Sequence, residues 1–187
     1  DARRLAPEPL TDEEIEALRA KAISSGLYCT YNATGSGSCR VKGGSPVNRN
    51  VGSTFTTNEI NGFGLPKNFV AFFDFAGSDP KSNNNTIGWN ADVSQCVLNR
   101  PDQSRSVVFM LPSGSMEMGS GGGVNGSVFA PRGILRTAGG SVLRGTVFVD
   151  QLDIRGGSSF VLDECFLQNM PFPLLTVTPL AWREIDR

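Results

Sequence analysis

Apolar and polar positions along this chain alternate mostly at the short period of strands, and one stretch near the start keeps the period of a helix. Ile15, Leu18 and Ala22 fall on one stripe, while Glu13, Glu16 and Arg19 face elsewhere. Thr11 and Glu14 form a T-x-x-E capping box ahead of them, and Gly26 stands where such a helix stops. The pattern predicts one amphipathic helix over Asp12–Ser25, which must dock on something else. Beyond it, Leu27–Tyr31, Arg40–Val41 and Ser53–Thr57 are short β-like pieces between turn clusters. Asn68–Phe75 (NFVAFFDF) is aromatic and apolar and has the length of a buried strand, and Gly77–Asn85 is a polar loop.

The second half repeats. Val107-Val108-Phe109-Met110, Ser127-Val128-Phe129-Ala130 and Thr146-Val147-Phe148-Val149 recur at intervals of 20 and 19 residues. Each is followed by a second β-like piece (Met116–Met118, Ile134–Arg136, Leu152–Ile154) and then by glycines, Gly121–Gly123, Gly139-Gly140 and Gly156-Gly157. A period in this range reads as a solenoid, in which each coil buries its apolar face only by stacking on the next. On this alignment Val108, Val128 and Val147 stack inside, and Phe109, Phe129 and Phe148 form a ladder on the opposite face. That ladder offers either an association surface or the seat of the N-terminal helix. The expected fold is all-β with one flanking helix, a parallel β-helix or β-solenoid. Residues 1–26 form the helical segment packed on it and 27–187 the solenoid domain, with the clearest coils over 107–163.

The stretch 126–163 resembles right-handed β-helix domains of bacterial surface proteins, in which "G-x-V-x-AP" is followed by "GG-x-x-x-G-x-V". Ala130-Pro131, Gly139-Gly140, Gly145–Val149, Phe160–Asp163 and Trp182-Arg183-Glu184 carry the likeness. It is similar to the C-terminal domains of type IV pilus-assembly proteins of the PilX kind and to choice-of-anchor surface domains. The resemblance covers about 107–184 and implies structural roles for Asp163, Trp182 and Arg183, with Asp163 holding the last coil to the chain end. No hydrophobic pilin-type helix stands in this sequence, so membrane attachment is expected only through an anchor upstream of Asp1.

Composition narrows the function classes. The chain has 22 glycines, 39% hydrophobic and 19% charged residues, the balance of a turn-rich β-protein with a weakly charged exterior. A net charge of −1, with Arg and Lys scattered singly, gives no electrostatic reason to bind nucleic acid. The absence of histidine excludes the usual Ser-His-Asp and Cys-His nucleophiles and most zinc sites. Four cysteines without a C-x-x-C pair favour two disulfides and an oxidising, extracellular or cell-surface location. Of three formal pairings, the expected one joins Cys29 to Cys39 across a short Gly/Ser loop and Cys96 to Cys165.

Candidate chemistry is sparse. The glycine run 119–126 lacks the Gly-Lys-[Ser/Thr] ending of a phosphate loop and reads as a corner. Asp150, Asp153, Asp163 and Glu164 are the acids a polysaccharide-cleaving β-helix would use, with Arg155 as the nearest cation. Asp74, Asp79 and Asn83–Asn85 crowd oxygen atoms that could serve calcium, though in no known loop pattern. Asn32, Asn84 and Asn125 open acceptor sequons. The expectation is a non-enzymatic, extracytoplasmic structural or adhesive module without cofactor or metal, pilus-associated (minor or tip-like) or surface-anchored. Its partners would be other pilus or surface proteins or copies of itself. The alternative is a polysaccharide-binding or polysaccharide-cleaving β-helix protein.

Overall fold

The computed structural model describes residues 10–97, 100 and 103–161. Helix α1 (Asp12–Ser25) precedes strands β1 (Leu27–Tyr31), β2 (Ser36–Val41), β3 (Val47–Asn50) and β4 (Phe55–Thr56), and then a short helix α2 (Thr57–Gly62). After β5 (Asn68–Phe75) come a 3-10 turn (Asn83–Asn85), β6 (Thr86–Asn90), β7 (Asp92–Val93), β8 (Ser106–Met110) and β9 (Ser115–Met118). The long β10 (Gly123–Thr137), β11 (Val142–Ile154) and β12 (Ser159–Val161) complete the described chain. All twelve strands join one curled mixed sheet. The fold is mostly β with one flanking helix.

Helix α1 begins where its sequence says it should. The Thr11 backbone donates to Glu14 Oε2 at 2.7 Å, and the Glu14 backbone donates to Thr11 Oγ1 at 3.3 Å, the two bonds of a capping box. It ends at Gly26, where a Cβ would run into the Val70 carbonyl oxygen, so only glycine lets the chain turn this tightly into β1.

Strand β10 is the spine of the sheet. Its start pairs with β7, its middle with β8 and its end with β9, all in parallel, and β11 lies parallel along its other edge. One strand serves three neighbours because it bends. Its register against β11 shifts between Ala130 and Ile134, where Pro131 has no N–H for a ladder. Three parallel ladders result. β5, β8, mid-β10 and β11 form the first, and β6, β9, the end of β10 and the end of β11 the second. β7 and β12 flank the starts of β10 and β11 in the third. Glycines with positive φ, Gly139 (58°) and Gly140 (77°), turn the corner from β10 to β11.

The hydrogen-bonded register corrects part of the expected stacking. Val128 does stand opposite Val147, but Val108 pairs with Ser127, and Phe109 is the residue opposite Val128. The spacing on the first rung is thus 19 residues, and the 20-residue alignment is one too long. A one-residue slip changes the face. Val108 therefore leaves the main core for a second cluster with Leu18 and Ala22 of α1, Val70, Phe72 and Met110. Phe109 turns inward, stacked on Phe73 and edge-on to Trp89 at 4.6 Å. Val128 is fully buried and Val147 half-buried in that main core. Phe129 and Phe148 do form the outward ladder, stacked at 5.0 Å. The slip arose because every position of β8 is buried, its outer face lying under α1, so an all-apolar stretch carries no phase. Gly126 supplies the missing constraint: its φ is 153°, and a Cβ there would collide with the Val107 carbonyl.

Residues 27–50 depart from the coil pattern. β1, β2 and β3 form antiparallel hairpins that extend the sheet beyond β5, because the short turns at 32–35 and 42–46 can join only antiparallel neighbours. Asp163, Trp182 and Arg183 lie outside the described residues.

Val128→Asp should lower stability by about 4 kcal/mol in urea melts, because it places an unpaired charge in the core. Ser127→Asp, half-buried beside the Thr146 hydroxyl at 3.0 Å, should cost roughly 1 kcal/mol or less. Equal losses would refute the strand phase.

Candidate functional site

The outer face of β5 and β8 in the first ladder is occupied by α1. Leu18 and Ala22 seal it, and one polar cluster fixes the helix in place. Asp74, on the outward side of β5, takes two bonds from the Arg19 guanidinium, both at 3.0 Å, and one from the Tyr28 hydroxyl at 2.8 Å. The same guanidinium lies 4.8 Å from the Phe72 ring centre. Burial, and then the Asp74 carboxylate, push the Tyr28 hydroxyl up to about 12. Tyr31 reaches about 12 as well, chiefly by burial. The helical pattern sets Arg19 off the apolar stripe without naming a partner for it. Asp74, weighed from the sequence as a calcium-loop oxygen, is instead the partner of this arginine, an acid on the outer side of a mostly apolar strand.

The predicted disulfide Cys29–Cys39 is present, joining directly opposed residues of β1 and β2 inside the core. Cys96 is also disulfide-bonded, while Cys165, its expected partner, lies outside the described residues. The expected oxygen-rich loop does not converge. Asp74 is turned to α1, Asp79 accepts the Lys81 backbone N–H at 2.9 Å, and the Asn85 amide donates to the Asp79 carbonyl at 2.7 Å. The acids of β11 are each taken by a cation. Asp150 pairs with Lys81, and Asp153 with Arg155, whose hydrogen bond holds the Asp153 carboxyl below its usual range. The glycine run 119–126 leads into β10 and not into a helix. Of the sequon asparagines, Asn125 is buried with its amide on the Arg105 carbonyl, whereas Asn32 and Asn84 are exposed.

The outer face of the second ladder is polar and open. Alternation sends Ile87, Trp89, Met116 and Met118 inward, which leaves Thr86, Gly88 and Asn90 of β6 and Glu117 of β9 outward. Glu117 continues a cross-strand row of alternating charge, Glu117–Arg136–Asp153. Beside it, β6, β9, the 51–54 connection and the 3-10 turn enclose a concavity of about 350 Å³. Glycines form part of its wall: a Cβ on Gly88 would come within 2.5 Å of Thr54 Oγ1, and one on Gly119 would strike the Asn90 carboxamide.

Chemically, the arrangement offers hydrogen-bond donors and acceptors, and no group of three or more His, Cys, Asp or Glu is placed to hold a metal among the described residues. No known protein family, curated protein or solved structure compared with the chain matches it.

The chain's two tyrosines make a pH test simple. Both hydroxyls stand near 12 when folded, against about 10 when unfolded. Above pH 10 the unfolded state loses these protons first, so stability should be complete below 10 and fall between 10 and 12. Ultraviolet titration should show tyrosinate near pH 12 in the native protein and near 10 in urea. Asp74→Asn should lower the Tyr28 step alone.

Proposed function

We propose that this chain is a short parallel β-solenoid serving as a non-enzymatic, extracytoplasmic structural or adhesive module. Its setting would be a type IV pilus, as a minor or tip-like component, or an anchored surface protein, as the resemblance of its second half implies. The solenoid reading is carried by the three parallel ladders, which advance by 17 to 19 residues through β10, β11 and β12. The steps before them, from β5 to β8, β6 to β9 and β7 to β10, are longer and absorb the loop after β7. The buried Cys29–Cys39 bridge supports an oxidising compartment.

Partners on this reading are other pilus or surface proteins, or further copies of the chain. Phe148 on the outward side of β11, and Leu152 and Ile154 opposite the buried Leu135 and Thr137 further along it, are exposed at 38%, 44% and 53% and support contact at this end of the sheet. The cleaving form of the alternative has less support, because Asp150 and Asp153 sit in separate ion pairs, with Lys81 and Arg155.

Two measurements test the proposal. Protease treatment of intact cells expressing the full-length protein should release peptides from 27–161, and unreduced peptide mapping should recover Cys29 joined to Cys39. Retention inside intact cells with free thiols would refute the display reading. Incubation with neutral and acidic polysaccharides should yield no cleavage. Turnover abolished by Asp150→Asn or Asp153→Asn would install the cleaving alternative in its place.

A further inference from the structure

We infer that the concavity on the outer face of the second ladder binds one or two units of an uncharged, hydroxyl-rich glycan. The inference rests on the adhesive form of the reading above and supplies its ligand class. Its volume of about 350 Å³ lies at the lower end of ligand pockets in general and suits a small saccharide unit.

Of the polar side chains around it, Thr86 is committed, its hydroxyl donating to the Ser82 carbonyl at 2.8 Å, and four others are not. The side chains of Thr54, Asn83, Asn90 and Glu117 make no hydrogen bond to another described residue, although all four line the same hollow. The acids and the amide weighed as candidates elsewhere differ. Asp74, Asp79, Asn85, Asp150 and Asp153 are each engaged by a neighbour. Two carboxamides and a hydroxyl both donate and accept, and the Glu117 carboxylate accepts strongly. A sugar hydroxyl also does both, so it can use such a mixed set fully, where an anion or a cation could not.

The charge balance points the same way. Glu117 is the one acid at the hollow, and its cross-strand neighbour is Arg136, with Arg155 close enough to feel its charge. The local field therefore selects neither a polyanion nor a cation. Gly88 and Gly119 keep the wall free of side chains at the places where Thr54 and Asn90 close over it, so their polar ends are held at the rim.

The test is a two-dimensional amide NMR titration of the full chain with maltose, cellobiose and N,N′-diacetylchitobiose as neutral probes and digalacturonate as the charged one. At least one neutral probe should saturably shift the amides of Thr54, Gly88, Asn90 and Gly119, with digalacturonate giving a weaker response. Asn90→Ala and Glu117→Ala, both at exposed positions, should keep a dispersed spectrum and each weaken binding about tenfold, the effect of one lost polar contact. Absence of shifts at these amides with all three neutral probes would overturn the inference, as would equal or tighter binding of digalacturonate, or affinity untouched by both variants. Display is measured separately by protease treatment of cells. A displayed protein that binds no sugar sinks only this inference, and a sugar-binding protein retained inside cells sinks only the display reading.

Discussion

Strands β5 and β8 are apolar on both faces, and the rest of the molecule is arranged to cover them. Along β5, Phe69, Ala71 and Phe73 enter the main core while Val70 and Phe72 point the other way. β8 does the same with Val107 and Phe109 against Val108 and Met110. Left open, the outer side would expose a contiguous apolar patch. Helix α1 closes it with Leu18 and Ala22. Burying a side chain such as Leu18 or Phe72 is worth roughly 1.5–3 kcal/mol, more than the ~1 kcal/mol of a partly exposed ion pair. Packing therefore holds the helix, and the Arg19–Asp74–Tyr28 cluster decides how it is turned.

The inner side depends on aromatic filling. Phe55, Phe73, Phe109 and Trp89 close a ring of contacts with ring centres 4.6 to 6.5 Å apart, joining the first ladder to the second across the interior. Arg49 caps this cluster from the edge, 3.6 Å above the Phe55 ring and paired with Glu59. Burial then thins along the stack. β10 is buried at most of its positions, whereas β11 holds one fully buried residue, Leu143. The two ends of the sheet are thus unlike: one is closed by hairpins and a disulfide, the other carries exposed Leu152 and Ile154.

Local signals were legible wherever one residue type does one job. The helix with its cap, β1, β5, the glycine corners and the Cys29–Cys39 bridge all follow from patterns within a dozen residues. The 17–19-residue advance was legible as a repeat, but its phase on β8 was not, since VVFM is apolar at every position. The segment 53–57, expected as a strand, holds a two-residue β4 and then α2. Thr56 caps that helix through the Glu59 N–H, a second T-x-x-E signal hidden among β-branched residues. The open groove was illegible for another reason. Thr54, Asn83, Asn90 and Glu117 are unremarkable in sequence, and only the parallel pairing of β4, β6 and β9 brings them together.

The register of the ladders decides which residues face the helix, the core and the groove. The direct measurement is backbone nuclear Overhauser spectroscopy on isotope-labelled full chain. The account predicts cross-strand contacts of the parallel kind between Val108 and Ser127, Ser127 and Thr146, and Glu117 and Arg136. It also predicts side-chain contacts from Leu18 to Val108 and Phe72. Contacts that set Val108 opposite Val128, or an antiparallel pattern between β8 and β10, would contradict it.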